Sequence, residues 1–369
     1  MEKISNYQLF GLTFLYQIGT TIIFGFGAGA GRDAWIAVLL SSLLGTCITI
    51  IYVLLMKMNP GLTLVQWFPA QFGKWLGTPI SWLYPLIFLF DAGRVAGDLK
   101  ELIPSTLLPT TPPLVFIGLF LLVMVFALYL GIENLARAGE ILVPIVLILL
   151  SIEVLLLFSS DIIHLKYLLP ILENGWVPIW ENVYSQGISQ TYGESIIFAM
   201  IWTQVKNPER IMKITIYSSI LSGILLALSV TLAIATFGED LYKRSIYPLF
   251  SLLGVVNVAD FLNNLDPFGV IYLTSVAFFK MYIKIFAGIK AIQQLTHLHN
   301  HRVLIVPAVI LVMYLGMSVS DNIAEHIYGM ALEVVTPYVW VPLFFIFPSI
   351  LLVVTWIRKK WLKGGGHSV

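Results

Sequence analysis

The sequence predicts an all-α polytopic membrane protein of about ten transmembrane helices, built as a 5+5 inverted repeat with the first and sixth helices discontinuous. Three observations carry this. Of 369 residues, 58% are hydrophobic and 11% charged, with a mean hydropathy of +0.89, whereas an ordinary soluble domain has about 25% charged residues. The apolar residues come in runs of about 20, the length that crosses a bilayer. Glycines and the few central charges also fall at matching places in the two halves.

The expected spans lie roughly at 7–30, 34–56, 79–104, 113–131, 138–158, 178–205, 211–237, 267–293, 303–320 and 334–357. Short loops leave a single domain over 1–369, with repeat one at about 7–158 and repeat two at about 178–357. The start, "MEKISNYQLF", lacks a basic region, so the first apolar run reads as a retained span. Its second half, "QIGTTIIFGFGAGAGRDAWIA", holds Gly19, Gly25, Gly27, Gly29 and Gly31. Each glycine in a helix interior costs about 0.5–1 kcal/mol relative to alanine. The helix is expected to unwind around Ile18, Gly19, Thr20 and Thr21, and backbone of that kind is tolerated at membrane depth only when buried or lining a cavity. Gly25 to Gly31 serve either close helix packing or a re-entrant loop at the outer surface. The second span holds Cys47, the one cysteine, which excludes an internal disulfide and reads as a packed thiol.

Before the third span, "NPGLTLVQWFPAQFGKWLGTP" is too short and mixed to cross. It reads as an interfacial helix turning Leu64, Trp67, Phe68, Phe72 and Trp75 to lipid, or as a loop with buried aromatics. The third span carries Asp91, Arg94 and Asp98, three and four residues apart, a spacing that allows pairing along one face or contact with a ligand. Tyr84 and Phe88 lie on the preceding turns and could wall a pocket. In the fifth span, Glu140 and Glu153 are near the ends, where snorkelling accounts for them. The sixth span, "GISQTYGESIIFAMI", has its weak point at Tyr192, Gly193 and Glu194, followed by Ser195. A second interfacial segment, Ile246 to Phe261, precedes the eighth span, which carries Lys280 and Lys284. No acid on its own span lies near Lys280.

Lysine and arginine set the orientation. With both termini in the cytoplasm, Lys3, Lys57, Lys74, Arg137, Lys206, Arg210, Lys213, Lys290, Arg302 and the Arg358 to Lys363 cluster lie inside, against Arg32, Lys100, Lys166, Lys243 and Arg244 outside. A net charge of +1 gives no case for nucleic acid. "THLHNHR" places His297, His299 and His301 in a cytoplasmic loop without the acids or cysteines that would complete a metal site. No phosphate loop, dinucleotide fingerprint or nucleophile elbow occurs, so neither an enzyme nor a cofactor is expected.

The ordered motifs carry a resemblance. They are "QIGT" then "RDAWI", "PGLTLVQW" then "FGKWLG", "DAGRVAGDLKELIPSTLLPTTP", "GIENLARAGEILVPI", "YGES", and "ADFLNNLDPF" before "FFKMYIK". Over essentially its whole length the chain resembles the spore germination permeases, the B subunits of nutrient germinant receptors in endospore-forming bacteria. These belong to the amino acid–polyamine–organocation superfamily and have a leucine-transporter-like fold. The resemblance implies a germinant-sensing subunit of the spore inner membrane that binds a small amino acid or similar nutrient and works with an A subunit and a C-subunit lipoprotein. It places Gly19, Thr20 and Thr21 on the first-span binding segment, Arg94 on the third-span arginine, Gly193 and Glu194 on the sixth-span break, and Lys280 on a common lysine. A zwitterion would then set its carboxylate against first-span amides and its ammonium against carbonyls and hydroxyls of the sixth-span break. Lys280 would be a built-in cation in place of sodium, or a partner of Glu194 or Asp91. The rival reading is an amino acid permease coupled to protons or sodium.

Overall fold

The computed structural model describes residues 3–255, 257–258, 262–263 and 266–364. Helix α1 (Asn6–Ile18) opens on a capping box, in which Ser5 and Gln8 satisfy each other's backbone amides, and stops at Gly19. Tight 3-10 turns follow at Gly19–Ile22 and Ala28–Asp33. Next come α2 (Ala34–Met58), α3 (Leu64–Thr106), α4 (Pro113–Leu130) and α5 (Ile132–Ser159). The sixth span starts as α6 (Val177–Asn182), widens to five-residue turns over Val183–Tyr192, and tightens to 3-10 turns over Gly193–Met200. Then follow α7 (Ile211–Arg244), α8 (Pro248–Gly254), α9 (Asp266–Thr296) and α10 (Ile305–Ser318). A wide-turn stretch, Glu325–Ile346, passes into α11 (Phe347–Gly364). A two-residue antiparallel pairing, β1 (Asn257–Val258) with β2 (Leu262–Asn263), interrupts the helical pattern before α9; residues 256, 259–261 and 264–265 of the expected interfacial segment and motif lie outside the described residues.

Helix α9 is the central column. Of its apolar stretch 78% is buried, against 22% for α4 and for α5 at the periphery. It packs on α3 and on α1, while α2 packs on α7 and α3 also on α10. Among the described residues, seven helices are long and apolar enough to cross a membrane. The first, third and sixth expected spans are the ones that fall short, each for a physical reason. α1 is cut at Gly19, α3 carries Asp91, Arg94 and Asp98 with four prolines, and the sixth span is divided into short pieces. In these three elements the polar residues and broken backbone are turned largely into the protein.

Several local expectations are corrected. The segment before the third span is helical and continuous with it, hinged at Gly73 (φ 77°), a conformation side-chain-bearing residues rarely adopt. Leu64, Trp67 and Phe68 face the protein, with the Trp67 indole donating to the Leu62 carbonyl, and only Trp75 of the outward set is fully exposed. Cys47 is exposed on the same outer face of α2 as Leu39 and Leu43. Glu153 does not snorkel but is buried in a small groove between α5 and α7. The Gly25 to Gly31 stretch folds into a short segment on α6 and α7, tied down where Arg32 meets Glu239 at 2.7 Å and Glu173 at 3.0 Å.

Glu209, Lys290 and His301 share a cavity at the end of the bundle where α7 begins, and Arg244 closes the other end of α7. Cysteines placed at Arg244 and at His299, both exposed, in a Cys47→Ser background, are therefore expected to label from opposite sides of the membrane with an impermeant reagent in intact cells. Labelling of both from one side would contradict the packing.

Candidate functional site

In hydrocarbon a central charge costs about 2.5–3.5 kcal/mol on insertion scales, and the bundle answers by pairing charges from three elements. Lys280 and Lys284 are one turn apart on α9. The Lys284 Nζ lies 2.9 Å from Glu194 Oε2 and 3.3 Å from Asp91 Oδ2, and the Lys280 Nζ lies 3.3 Å from the same Glu194 oxygen. Both ammonium groups sit 5.7 Å from the Tyr16 ring centroid, and the Tyr16 hydroxyl donates to Glu194. The other Asp91 oxygen accepts from Trp340 Nε1 at 3.1 Å. This cluster floors a cavity of about 420 Å³ whose walls include Thr20, Thr21, Phe24, Asn182, Gln186, Gln190 and Trp340.

Arg94 is left over. Asp98, expected to pair with it along the helix, turns instead to His326 Nε2 at 2.8 Å, and Gly97 leaves room for that imidazole. Asp91 is taken by Lys284 and Trp340. Among the described residues Arg94 makes no ion pair; its Nε has no acceptor, and its guanidinium lies over the Trp340 ring, 5.0 Å from the centroid. It faces the cavity as an uncommitted cation.

Of the residues singled out from sequence, Thr20, Thr21, Asp91, Arg94, Glu194 and Lys280 line this cavity. Others support it from behind. Gly19, at φ +32°, lies against Lys280: a Cβ there would stand 2.5 Å from the lysine Cδ. Its amide is already bonded to the Leu15 carbonyl, and the Ile23 amide to Thr20, so these first-span donors are not free. Ile18 is buried. Ser195 accepts from Gln17, which also contacts Ser219 and Ser222 on α7, a polar brace joining α1, the sixth span and α7. Tyr192 lies on Gly45 of α2, where any Cβ would clash with its ring. Tyr84 and Phe88 do not reach the cavity. The Tyr84 hydroxyl donates to the Leu343 carbonyl (2.8 Å), and Tyr52 donates to Phe344 (2.6 Å) and to Gly193 (3.2 Å). Pro348 lacks the amide that would have bonded Phe344, so the tyrosines serve carbonyls that an interrupted helix leaves open.

Sequence reasoning missed Lys284, Trp340, Tyr16 and His326 as members of the site. For Lys284 there was a signal: four residues after Lys280 puts it on the same helix face. Trp340 gave none, because the tenth span carries no charge near its centre, and His326 gave none, because it lies before the expected span of 334–357 and joins it only in the Glu325–Ile346 stretch.

Lys284→Met would leave Asp91 with the Trp340 N–H but no ion-pair partner, and Glu194 with Lys280 alone. Removing one member of a buried ionic cluster costs about 3–5 kcal/mol, and Lys280→Met is expected to cost less, because Glu194 keeps Lys284. Denaturant unfolding of the purified variants in detergent checks the order. Gly19→Ala is expected to destabilise by about 1–2 kcal/mol through the positive φ and the contact with Lys280. Lys280→Ala in the same chain should not add its full separate cost, since the two share that contact.

The family model for spore germination proteins matches residues 3–325. Spore germination protein KB of Bacillus subtilis (strain 168) is 31% identical over 371 residues, covering 100% of this chain and 99% of the relative. Spore germination protein XB of Bacillus anthracis is 23% identical, covering 90% of each. Among solved structures, Mhp1, a nucleobase-cation-symport-1 family transporter in a closed conformation with bromovinylhydantoin bound, aligns with a TM-score of 0.64 at 13% identity, over 85% of this chain and 71% of its own. MhsT in complex with L-phenylalanine aligns with a TM-score of 0.61 at 16% identity, over 96% and 88%. The fold is thus that of leucine-transporter-like transporters, and the chain, an integral membrane protein, belongs to the spore germination permease family.

Proposed function

We propose that this protein is the nutrient-sensing B subunit of a germinant receptor: a binding protein, not an enzyme, that lodges in the spore inner membrane with both termini in the cytoplasm. Its ligand is a small amino acid or a similar nutrient, and its partners are the receptor A subunit and the C-subunit lipoprotein. One observation carries the reading. Arg94 lines a cavity of about 420 Å³, large enough for an amino acid, as a cation with no acid in ion-pair contact among the described residues. Near it, Lys280 and Lys284 balance Asp91 and Glu194, and Asp98 is held by His326. A ligand carboxylate supplies the direct acceptor that the guanidinium lacks. Arginine favours this partner because its planar fork meets a carboxylate with two parallel hydrogen bonds. The ammonium group then faces Thr20, Thr21 and Gln190 on the broken first and sixth spans, all in the same cavity wall.

Signalling requires that the ligand bind one conformation better than another, since equal affinity shifts nothing. A ligand joining Arg94 on α3 to Thr20 and Thr21 on the first span has that differential, because it bridges elements that can move apart. Lys280 fits a sensor. Its ammonium is covalently part of the chain, so it holds Glu194 without the entry and release of an ion that a driven transporter needs.

The test is thermal stabilisation of the purified chain, with its partner subunits, by a panel of amino acids. Arg94→Gln is expected to weaken the stabilising ligand about 10- to 100-fold, as loss of a charge-assisted hydrogen bond implies, without loss of membrane insertion. Unchanged affinity in that variant removes the assignment. The transporter fold of the solved neighbours keeps a permease reading in play. Uptake of the stabilising amino acid into proteoliposomes by the chain alone would establish it, and binding without flux would support the receptor.

A further inference from the structure

A second cavity lies at the other end of the bundle, where Ile4 pairs with Val205 and Arg358 donates to the Ala70 carbonyl. Its volume is about 950 Å³, more than twice that of the first. The charged groups on its wall are Lys57, Lys290 and Arg302 against Glu209 alone. His301, from the histidine-rich loop, stands beside Lys290, with Nδ1 3.4 Å from its Nζ. Among the described residues neither Lys57 nor Arg302 is ion-paired.

The uncharged wall has the same bias towards donors. Trp202 is 2% exposed and lines the cavity, yet among the described residues its indole Nε1–H has no acceptor. The other two almost fully buried indoles are served: Trp67 donates to Leu62 and Trp340 to Asp91; the half-buried Trp35, away from this cavity, shares the lack of an acceptor among the described residues. Gln66 and Gln294 have their amide oxygens engaged by Thr63, so their remaining capacity is donor NH₂. A buried donor left without a partner is costly, and a pocket of donors and cations selects an acceptor-rich anion. Met56, Tyr129, Met200 and Phe286 on the same wall add room for an apolar or planar body attached to it.

We propose that this cavity binds a phosphate-bearing anion, held by Lys57, Lys290 and Arg302 and by the Trp202 indole. Two sources share that chemistry, the headgroup of an anionic lipid from the adjoining leaflet and a soluble phosphate. The site is separate from the Arg94 cavity, with no lining residue in common. Its occupancy would brace the ends of α2, α9 and α10 against the end of the sixth span.

The test uses the purified full chain. In detergent, its thermal unfolding is followed against sodium phosphate, with sodium chloride matched for ionic strength. In nanodiscs, phosphatidylcholine alone is compared with phosphatidylcholine plus phosphatidylglycerol. Lys57→Gln with Arg302→Gln is the main variant, chosen because both side chains are exposed at the cavity mouth and their loss leaves the packing intact. Trp202→Phe keeps the ring and removes only the donor. A saturable rise in Tm with phosphate assigns the soluble source, and a rise confined to phosphatidylglycerol assigns the lipid. In either case half-saturation should shift at least about tenfold in the double variant and several-fold in Trp202→Phe. No rise with either probe, or an equal rise in the double variant, overturns the site.

Discussion

Glu194 is the point on which this bundle turns. A carboxylate in the middle of a membrane protein has to be paired or neutral, and this one meets two ammonium groups from α9 while Lys284 reaches on to Asp91 of α3. The pairing brings the third, sixth and eighth spans to one point, and Tyr16 brings the first. Such a cluster is a weak source of net stability, because desolvation offsets most of the Coulomb gain. What it supplies is uniqueness of arrangement: any register shift of α9 by one residue would carry both lysines off the acids.

The broken helices follow from the same constraint. Glu194 lies where the sixth span changes from wide to tight turns, and the carbonyl of Gly193 beside it is capped by Tyr52. Gly19 ends α1 where the Lys280 stem passes, and a side chain there would displace the lysine. Backbone irregularity and buried charge thus occupy the same level of the bundle and serve each other. The carbonyls opened in the tenth span are likewise met by tyrosines from α2 and α3. Among the described residues a few buried polar atoms stay without a partner, and the one that belongs to a charged group is on the Arg94 guanidinium.

That exception results from competition between partners. A helix-face pair between Arg94 and Asp98 is geometrically open, but His326 reaches Asp98 from the tenth span and Asp91 is claimed from two sides. Under the proposed function, this cation over an aromatic ring, facing a cavity, is what meets the ligand's negative charge. The second cavity repeats the logic at the membrane face, with lysine, arginine and an unserved indole in place of a single guanidinium.

The sequence by itself determined the membrane class, the helical fold and the breaks in the first and sixth helices, though not the interruption of the tenth, because hydropathy, glycine spacing and the expense of central charges are local properties. Its motif order was enough for the family. It also marked Asp91, Arg94, Glu194 and Lys280, since a charge far from water has few reasons to be there. It could not say which acid meets which base. Tyr84 and Phe88 stood at pocket spacing and proved to be supports, while Trp340 was silent in a span without central charges and His326 lay ahead of that span. Those outcomes depend on how α3, α9 and the tenth span are rotated and slid against each other. Rotation and slide are set by packing across the whole bundle, so only the tertiary structure decided which cation was left without a partner.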